Sequence, residues 1–188
     1  MNIKIACHLG FLSLFSLILT GCFGSDTKPA MPICELLDEN DEWVEPAVKL
    51  KERYGTPLSL ALVLLEPPLS DLDKKHVRPR ASDWDEYRIR SERWDASPYN
   101  PEDALDFIGW YTQLSTQRNN LNWQAAGDHY LALRLGHGDF HRFDAEKYPE
   151  LTKQAEHIQV RSESWERELQ GCPSHWTSES WLKKLKIW

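Results

Sequence analysis

Apolar residues recur every three or four positions along most of the chain, which is the spacing of an amphipathic α-helix. Trp43, Ala47, Leu50 and Tyr54 form the first such stripe, and we predict a helix that begins at Asp41. A glycine follows this stripe directly and is typical of the residue that ends a helix. The pattern after residue 34 therefore predicts a mainly α-helical fold.

The next segment, residues 58–65 (LSLALVLL), is apolar on every side. A helix without a polar face belongs in the centre of a core. We predict that Thr56 is its N-cap and Pro57 its first residue. A residue that precedes proline is disfavoured in the helical region, so we expect the helix to end at Glu66, before Pro67-Pro68.

Three further helices are predicted from the same periodicity. One starts at Asn100, where a capping side chain precedes proline and two acids; a second runs from near Asn122 to Leu135, and a third from Tyr148 to Leu169. Residues 70–95 are dense in charge and weakly periodic, and we interpret them as irregular loops with a short helix or a small β element.

The start of the chain has the pattern of an export signal. Lys4 precedes an apolar run, Leu9 to Leu19, that is too short for a transmembrane helix, which needs about 20 apolar residues. It ends in Leu19-Thr20-Gly21-Cys22, which resembles the lipobox of bacterial lipoproteins. We predict that residues 1–21 are removed and that Cys22 is lipidated; the alternative is a signal anchor that happens to contain a cysteine.

A lipid anchor sets the expected location. Phe23 follows Cys22, and in enterobacteria-like sorting the lack of an aspartate there predicts transfer to the outer membrane, facing the periplasm. Residues 22–33 are small, polar and proline-containing, as expected of a tether. We assign residues 34–173 to one domain and residues 174–188 to an amphipathic C-terminal tail.

The net charge restricts the class of partner that we expect, and the positions of the cysteines predict a disulfide. The net charge of −7 argues against a nucleic-acid partner, because such proteins are basic. Cys34 and Cys172 stand at the two ends of the domain, and in an oxidising compartment an isolated pair is most simply a disulfide. Two free thiols are the alternative.

Glu66 is the strongest candidate for catalysis. A carboxylate at the end of an apolar helix is poorly solvated and faces the negative end of the helix dipole, so we expect its pKa to be raised. A carboxylic acid that stays protonated near neutral pH is what glycosidic bond cleavage requires. The alternative is that Glu66 caps the helix or pairs with a basic residue in 74–93.

Other residues suggest fewer roles. His129 lies on a predicted helix, while His137 and His141 lie in a glycine-flanked turn with Asp139 between them. No HExxH pattern and no zinc-finger spacing occurs, so we expect a tight turn with exposed imidazoles and no metal or other cofactor. Trp84 and Trp94 lie in the charged region and are candidates for a ligand surface. Most of the other tryptophans occupy helix stripes and are predicted to be core residues: Trp43, Trp110, Trp123 and Trp165.

Several strings together resemble the soluble lytic transglycosylase (SLT) domain, across about Cys34 to Cys172. Tyr54-Gly55-Thr56-Pro57 leads into an apolar helix that reaches a glutamate, as in that family. The remaining matches are Pro79-Arg80-Ala81-Ser82, Asp106-Phe107-Ile108-Gly109-Trp110-Tyr111, Tyr130-Leu131-Ala132 and Gly136-His137-Gly138. The most specific of these strings is DFIGWY.

The resemblance implies a lysozyme-like fold and cleavage of the β-1,4 bond between N-acetylmuramic acid and N-acetylglucosamine. Glu66 takes the catalytic position, acting first as acid and then as base, and Tyr87 and Tyr130 correspond to tyrosines of the family. Together with Trp84 and Trp94, these tyrosines form the predicted substrate-binding set. The implied partner is the glycan strand of peptidoglycan.

The chain also departs from the family. Pro67-Pro68 replaces the serines after the glutamate, Asp83 to Arg90 replaces a cleft segment, and Leu133 replaces a second tyrosine. Two hypotheses therefore stay open: a lytic transglycosylase that acts through Glu66, and a non-catalytic module that binds peptidoglycan or a protein partner. An unrelated helical lipoprotein is the third.

Overall fold

Helices of 4 to 21 residues, joined by turns and loops, form the domain in the computed structural model. The structure describes residues 32–70 and 80–172, with the side chains of 66–70 left out. The helices are α1 (Ile33–Glu39), α2 (Val44–Tyr54, preceded by a 3-10 turn at Asp41–Trp43), α3 (Leu58–Ser70), α4 (Ala81–Ser91), α5 (Pro101–Asn119), α6 (Ala126–Leu135), α7 (His137–Phe140) and α8 (Pro149–Leu169). No strand occurs in these two ranges. The predicted mainly α class is confirmed.

Helix α3 lies at the centre of the core, as its sequence predicts. Every residue from Ser59 to Leu65 is buried, and the helix contacts α2, α5, α6 and α8. A helix with apolar side chains on all sides can bury every face only if other helices surround it. The remaining helices therefore arrange themselves around α3.

The C-terminal end of α3 differs from the prediction. The helix continues through Glu66 to Ser70, so the expected end at Glu66 is wrong. The preference against helix before proline is a bias, and proline's own fixed φ is compatible with a helix. Because Pro67 and Pro68 carry no N–H, the carbonyls of Val63 and Leu64 receive no helical hydrogen bond from them.

The start of α3 also differs in detail. The amide of Ala61 donates to the carbonyl of Pro57, which therefore precedes the first helical residue. The Thr56 hydroxyl does not serve as the predicted cap: it lies 2.8 Å from the hydroxyl of Thr112 and 3.4 Å from the carbonyl of Gly109, both on α5. Thr56 is fully buried, so its hydroxyl joins α3 to α5.

Other helix boundaries follow the sequence closely. Gly55 ends α2 with a left-handed φ of 77°, and the Asn100 side chain caps α5 by accepting the amide of Asp103 at 3.1 Å. Helix α6 begins at Ala126 and not near Asn122, because the Asn122 side chain accepts the amide of Gln124 and closes a turn instead. Short polar side chains thus set these boundaries.

The charge-dense region contains a full helix. Residues Ala81–Ser91 form α4, with Asp83, Trp84 and Tyr87 buried on one side. This α4 takes the place of the predicted loops over that part of the region, and residues 71–79 lie outside the described part of the chain. The predicted short helix is therefore longer than expected.

A disulfide joins the two ends of the domain. Cys34 on α1 and Cys172 after α8 are bonded, with their Cα atoms 5.6 Å apart. Nearby, the amide of Ile33 donates to the Glu168 carboxylate at 3.0 Å. The predicted disulfide is confirmed, and it holds α1 against the end of α8.

The predicted signal, the Cys22 lipidation site and the C-terminal tail fall on residues outside the described ranges. Within those ranges, no helix is both long and apolar enough to cross a membrane.

Candidate active site

Glu66 belongs to the central helix of the domain. It follows the buried run that ends at Leu65 and is one turn from the end of α3 at Ser70. It is the only ionisable residue in that helix. Its backbone is described and its side chain is not, so its catalytic role stays a prediction.

Asp106 on α5 connects three helices and the loop that follows α4. Its Oδ2 accepts the hydroxyls of Tyr87 at 2.7 Å and Tyr54 at 3.1 Å. The guanidinium groups of Arg53, at 3.3 Å from Oδ1, and Arg93, at 3.2 Å from Oδ2, pair with the same carboxylate. One acid of the DFIGWY string therefore fixes α2, α4 and α5 relative to one another.

The two tyrosines in this network act as donors. Burial, followed by the charge of Asp106, raises the pKa of Tyr54. Burial, followed by the hydrogen bond to Asp106, raises the pKa of Tyr87. Both hydroxyls therefore keep their protons and hold the Asp106 carboxylate through charge-assisted hydrogen bonds.

Two of the predicted ligand-surface residues lie in the core. Trp84 is 6% exposed and Tyr87 is fully buried. Their rings pack on each other and on Phe107 of α5, and Trp84 Nε1 donates to the carbonyl of Ala96. Neither ring is presented to solvent, because both rings pack on α5 and the Trp84 indole also contacts the loop that follows α4. Their contact with a glycan stays a prediction.

Trp94 is placed as expected for a ligand surface. Its side chain is 67% exposed, on the loop between α4 and α5. The loop is held in place at Ala96, whose carbonyl accepts Nε of Arg88 at 2.9 Å, and at Ser97, whose amide donates to Asp103 at 2.8 Å. A firmly held backbone thus carries an exposed indole ring.

Tyr130 lies between two helices. It is buried on α6, and its hydroxyl donates to Oε1 of Gln154 on α8 at 2.7 Å. Its predicted glycan contact stays a prediction, while the structure gives the residue a role in helix packing.

Two of the strings on which the family resemblance rests meet in the structure. Arg80 pairs with Asp83 through Nε and Nη2, at 2.9 and 2.8 Å, and donates from Nη1 to the carbonyl of Leu135 at 3.1 Å. That carbonyl precedes Gly136, which has a φ of 84°. The Pro-Arg-Ala-Ser string is therefore bound to the Gly-His-Gly string, which is far from it in sequence.

One of the two turn histidines, His137, differs from the prediction of exposed imidazoles. His129 is fully buried and stacks on Trp123, and His137 is 8% exposed and stacks on Tyr111. Burial lowers the pKa of each to about 4, so both are neutral near pH 7. His141 is exposed as predicted. In the described ranges, no group of three potential ligands could hold a metal ion.

A surface pocket of about 440 Å³ lies beside Asp106, between α2 and the start of α5. It is lined by charged side chains and one proline: Pro46, Lys49, Glu52, Arg53, Arg93, Glu102 and Asp106. None of the predicted substrate-binding residues lines it, although Trp94 directly follows Arg93 in the chain. The sequence missed this site because its residues come from three separate segments.

Residues 70–172 match the family described as Transglycosylase SLT domain. The match covers slightly more than half of the 188 residues. The chain belongs to this family. No curated protein and no solved structure was found to match.

Membership of the SLT family confirms the resemblance inferred from the motifs. It agrees with the helical architecture, since the SLT domain is mainly helical and lysozyme-like. The matched range includes Asp106, Arg80 and Gly136, and it begins four residues after Glu66. The family match thus supports the scaffold and a function related to peptidoglycan, without assigning a role to Glu66.

Proposed function

We propose that this protein is a lytic transglycosylase that cleaves the glycan strands of peptidoglycan, with Glu66 as the catalytic acid and base. The observation that carries the proposal is the position of Glu66 in a chain of the SLT family. It is the single ionisable group of a central helix whose preceding turns are wholly buried. An acid that adjoins such apolar surroundings suits proton donation to a glycosidic oxygen.

The reaction needs one group for two proton transfers. Glu66 donates its proton to the oxygen between N-acetylmuramic acid and N-acetylglucosamine, and the bond from that oxygen to C1 of the muramic acid breaks. The Glu66 carboxylate then takes the proton of the C6 hydroxyl of the same muramic acid. The C6 oxygen bonds to C1. The products are a 1,6-anhydromuramic acid end and a free N-acetylglucosamine hydroxyl, and no water is consumed.

In this proposal Cys22 carries the lipid, and the chain from Cys22 to the start of α1 at Ile33 serves as the tether. The acyl chains hold the domain at the outer membrane, facing the periplasm, where the glycan strands are within its reach. The Cys34–Cys172 disulfide suits an oxidising compartment of that kind. Trp94, exposed on the loop between α4 and α5, offers an aromatic surface on which a sugar ring can stack.

A second function is favoured by specific observations. Tyr87, the tyrosine retained from the family's cleft segment, has its hydroxyl bound to Asp106 in the core. The family match also begins after Glu66. Both observations fit a non-catalytic member that binds peptidoglycan or a protein partner through a remodelled surface.

Digestion of purified peptidoglycan distinguishes the two functions. The full chain, purified in detergent, is incubated with peptidoglycan and the soluble products are analysed by mass spectrometry. We expect anhydromuropeptides from the wild type and none from Glu66→Gln, which keeps the shape of the side chain and removes its acid. Glu156→Gln, on the exposed side of α8, is the matched control and should release products like the wild type.

Binding to peptidoglycan without product release would contradict the proposed catalysis. If the wild type releases no anhydromuropeptides but sediments with peptidoglycan, and Glu66→Gln sediments equally well, the protein is a binding module. Circular dichroism of each variant shows whether a loss of product follows from unfolding instead of from loss of the acid.

A further inference from the structure

The pocket beside Asp106 has a rigid, charge-balanced floor. Asp106 is 14% exposed and Arg93 is 31% exposed, and the two side chains are paired. Arg93 also pairs with Asp103, and Tyr54 donates to Asp106. Each of these side chains already has an oppositely charged or hydrogen-bonding partner. Their positions therefore do not depend on a bound ligand.

The rim of the same pocket carries both signs of charge. Lys49 and Arg53, each 56% exposed, supply two cations, and Glu52 and Glu102, also exposed, supply two carboxylates. The partner of Lys49 is the exposed Glu45, four residues earlier on α2. Such exposed ion pairs contribute little to stability, so a ligand can replace Glu45 at little cost.

The charge pattern restricts the ligand. A phosphate or another simple anion would meet Glu52 and Glu102, and a simple cation would meet Lys49 and Arg53. An apolar ligand would find only Pro46 among the lining residues. A group that carries an ammonium and a carboxylate close together can pair with both signs of charge on the rim, and a volume of about 440 Å³ is within the range for small-ligand pockets.

We propose that this pocket binds an α-amino acid zwitterion at the end of a peptide, namely the free end of the diamino acid in a peptidoglycan stem peptide. The ligand carboxylate pairs with Lys49 and Arg53, and its ammonium pairs with Glu52 and Glu102. The choice of the stem peptide rests on the proposed function, because that function places glycan strands with attached peptides at the domain.

The exposed tryptophan is adjacent in the chain to a residue that lines the pocket. Arg93 lines the pocket and Trp94 follows it through a trans peptide bond, so their Cα atoms are about 3.8 Å apart. A glycan strand that reaches Trp94 therefore carries its peptides to the vicinity of the pocket. The domain would then recognise strands that still carry peptides.

Isothermal titration of the full chain in detergent tests this site. The probe is the tripeptide L-Ala-γ-D-Glu-meso-diaminopimelate, compared with the same tripeptide acetylated on its free side-chain amine. We expect the wild type to bind the first and to bind the second about three- to tenfold more weakly, since acetylation removes the charge that pairs with Glu52 and Glu102.

The variants separate the contribution of the rim cations from that of the rim carboxylates. Lys49→Gln and Glu52→Gln should each raise the Kd about three- to tenfold, and Glu52→Gln should also reduce the preference for the free amine. Lys51→Gln and Glu156→Gln change exposed charges that do not line the pocket, so they should leave the Kd unchanged. Equal weakening by the control variants, or equal binding of the acetylated peptide, would overturn the proposal.

A failure of tripeptide binding can be distinguished from a failure of the proposed transglycosylase activity. Glycan strands stripped of their peptides provide the second substrate. If the protein cleaves these strands but does not bind the tripeptide, the pocket proposal fails alone. If it binds the tripeptide but acts on no glycan, the transglycosylase proposal fails and the pocket proposal stands.

Discussion

The guanidinium group of Arg80 occupies the space in which a side chain at residue 136 would begin. A Cβ added to Gly136 would lie 1.9 Å from Nη2 of Arg80. Arg80 is held there by Asp83 and by the carbonyl of Leu135. The close approach of these two family motifs thus depends on a residue without a side chain.

We expect Gly136→Ala to destabilise the domain. Gly136 has φ 84° and ψ 156°, a region essentially restricted to glycine, and occupation of such a region by another residue costs about 1–3 kcal/mol. Urea unfolding of the full chain, followed by circular dichroism, measures the change in free energy. Adding Arg80→Ala should relieve the contact with the new methyl group while the backbone cost remains.

Gly138→Ala is the control for this prediction. A Cβ at Gly138 would meet nothing within 4 Å, so its free energy of unfolding should stay within about 0.5 kcal/mol of the wild type. An equal loss of stability in both variants would show that the loss does not come from the Arg80–Gly136 contact or from the backbone conformation of Gly136.

Asp106→Asn should weaken the junction of α2, α4 and α5. The amide keeps the size of the side chain but removes the charge that two arginines face, and the hydroxyls of Tyr54 and Tyr87 lose a charged acceptor. Breaking a largely buried ionic network of this kind costs about 2–4 kcal/mol in the free energy of unfolding.

Asp139→Asn provides the comparison for Asp106→Asn. Its carboxylate is 54% exposed and its partner Arg142 is 77% exposed, so the loss should be below about 1 kcal/mol. Thermal unfolding of both variants checks the contrast. Similar melting temperatures for the two would count against Asp106 as the centre of a network.

Reduction of the Cys34–Cys172 disulfide should lower stability strongly. The bond closes a loop with a sequence separation of 138 residues, and chain entropy assigns about 5 kcal/mol to a loop of that length. We expect a loss of about 3–5 kcal/mol on addition of dithiothreitol. The Cys34→Ser, Cys172→Ser double variant should show the lower stability with or without the reductant.

Acid should destabilise the fold through its buried histidines. His129 and His137 have pKa values of about 4 in the folded protein, because burial disfavours their charged form, against about 6.5 in an unfolded chain. Between pH 6.5 and pH 4 the unfolded state therefore binds more protons, and protonation favours unfolding. Each histidine should remove up to about 1.4 kcal/mol of stability per pH unit as the pH falls through this window.

NMR titration of the imidazole groups in the wild type measures these values directly. Titration of His129 and His137 near pH 6.5, the value for a histidine in an unfolded chain, would refute the prediction.

The sequence predicted well those features that depend on near neighbours. The glycine after α2, the Asn100 cap of α5 and the apolar run of α3 act within one or two turns, so their effect is visible in a short window of sequence. The end of α3 was less predictable because Pro67 and Pro68 oppose a helix only by a bias, which a well-packed helix can override.

The prediction of a loop around Trp84 and Tyr87 was wrong for a local reason. Helix α4 has no clear apolar stripe because Asp83, a charged residue, is buried beside Trp84 and Tyr87. Its burial is stabilised by Arg80 just before the helix. A periodicity that counts Asp83 as exposed therefore places the two aromatic side chains in a loop.

The sequence by itself determined the helical class, the family and the isolated carboxylate of α3, because each depends on residue type and local spacing. It favoured the cysteine pair through residue type alone, and the tertiary structure places the two thiols together. Only the tertiary structure decided that Asp106 joins Tyr54 to Tyr87, that Arg80 lies against Gly136, and that charges from three segments surround one pocket. The contacts of Asp106 and of Arg80 bridge 19 to 56 residues of the chain. Their partners are selected by the packing of helices around α3, and this packing leaves no periodic signal in the sequence.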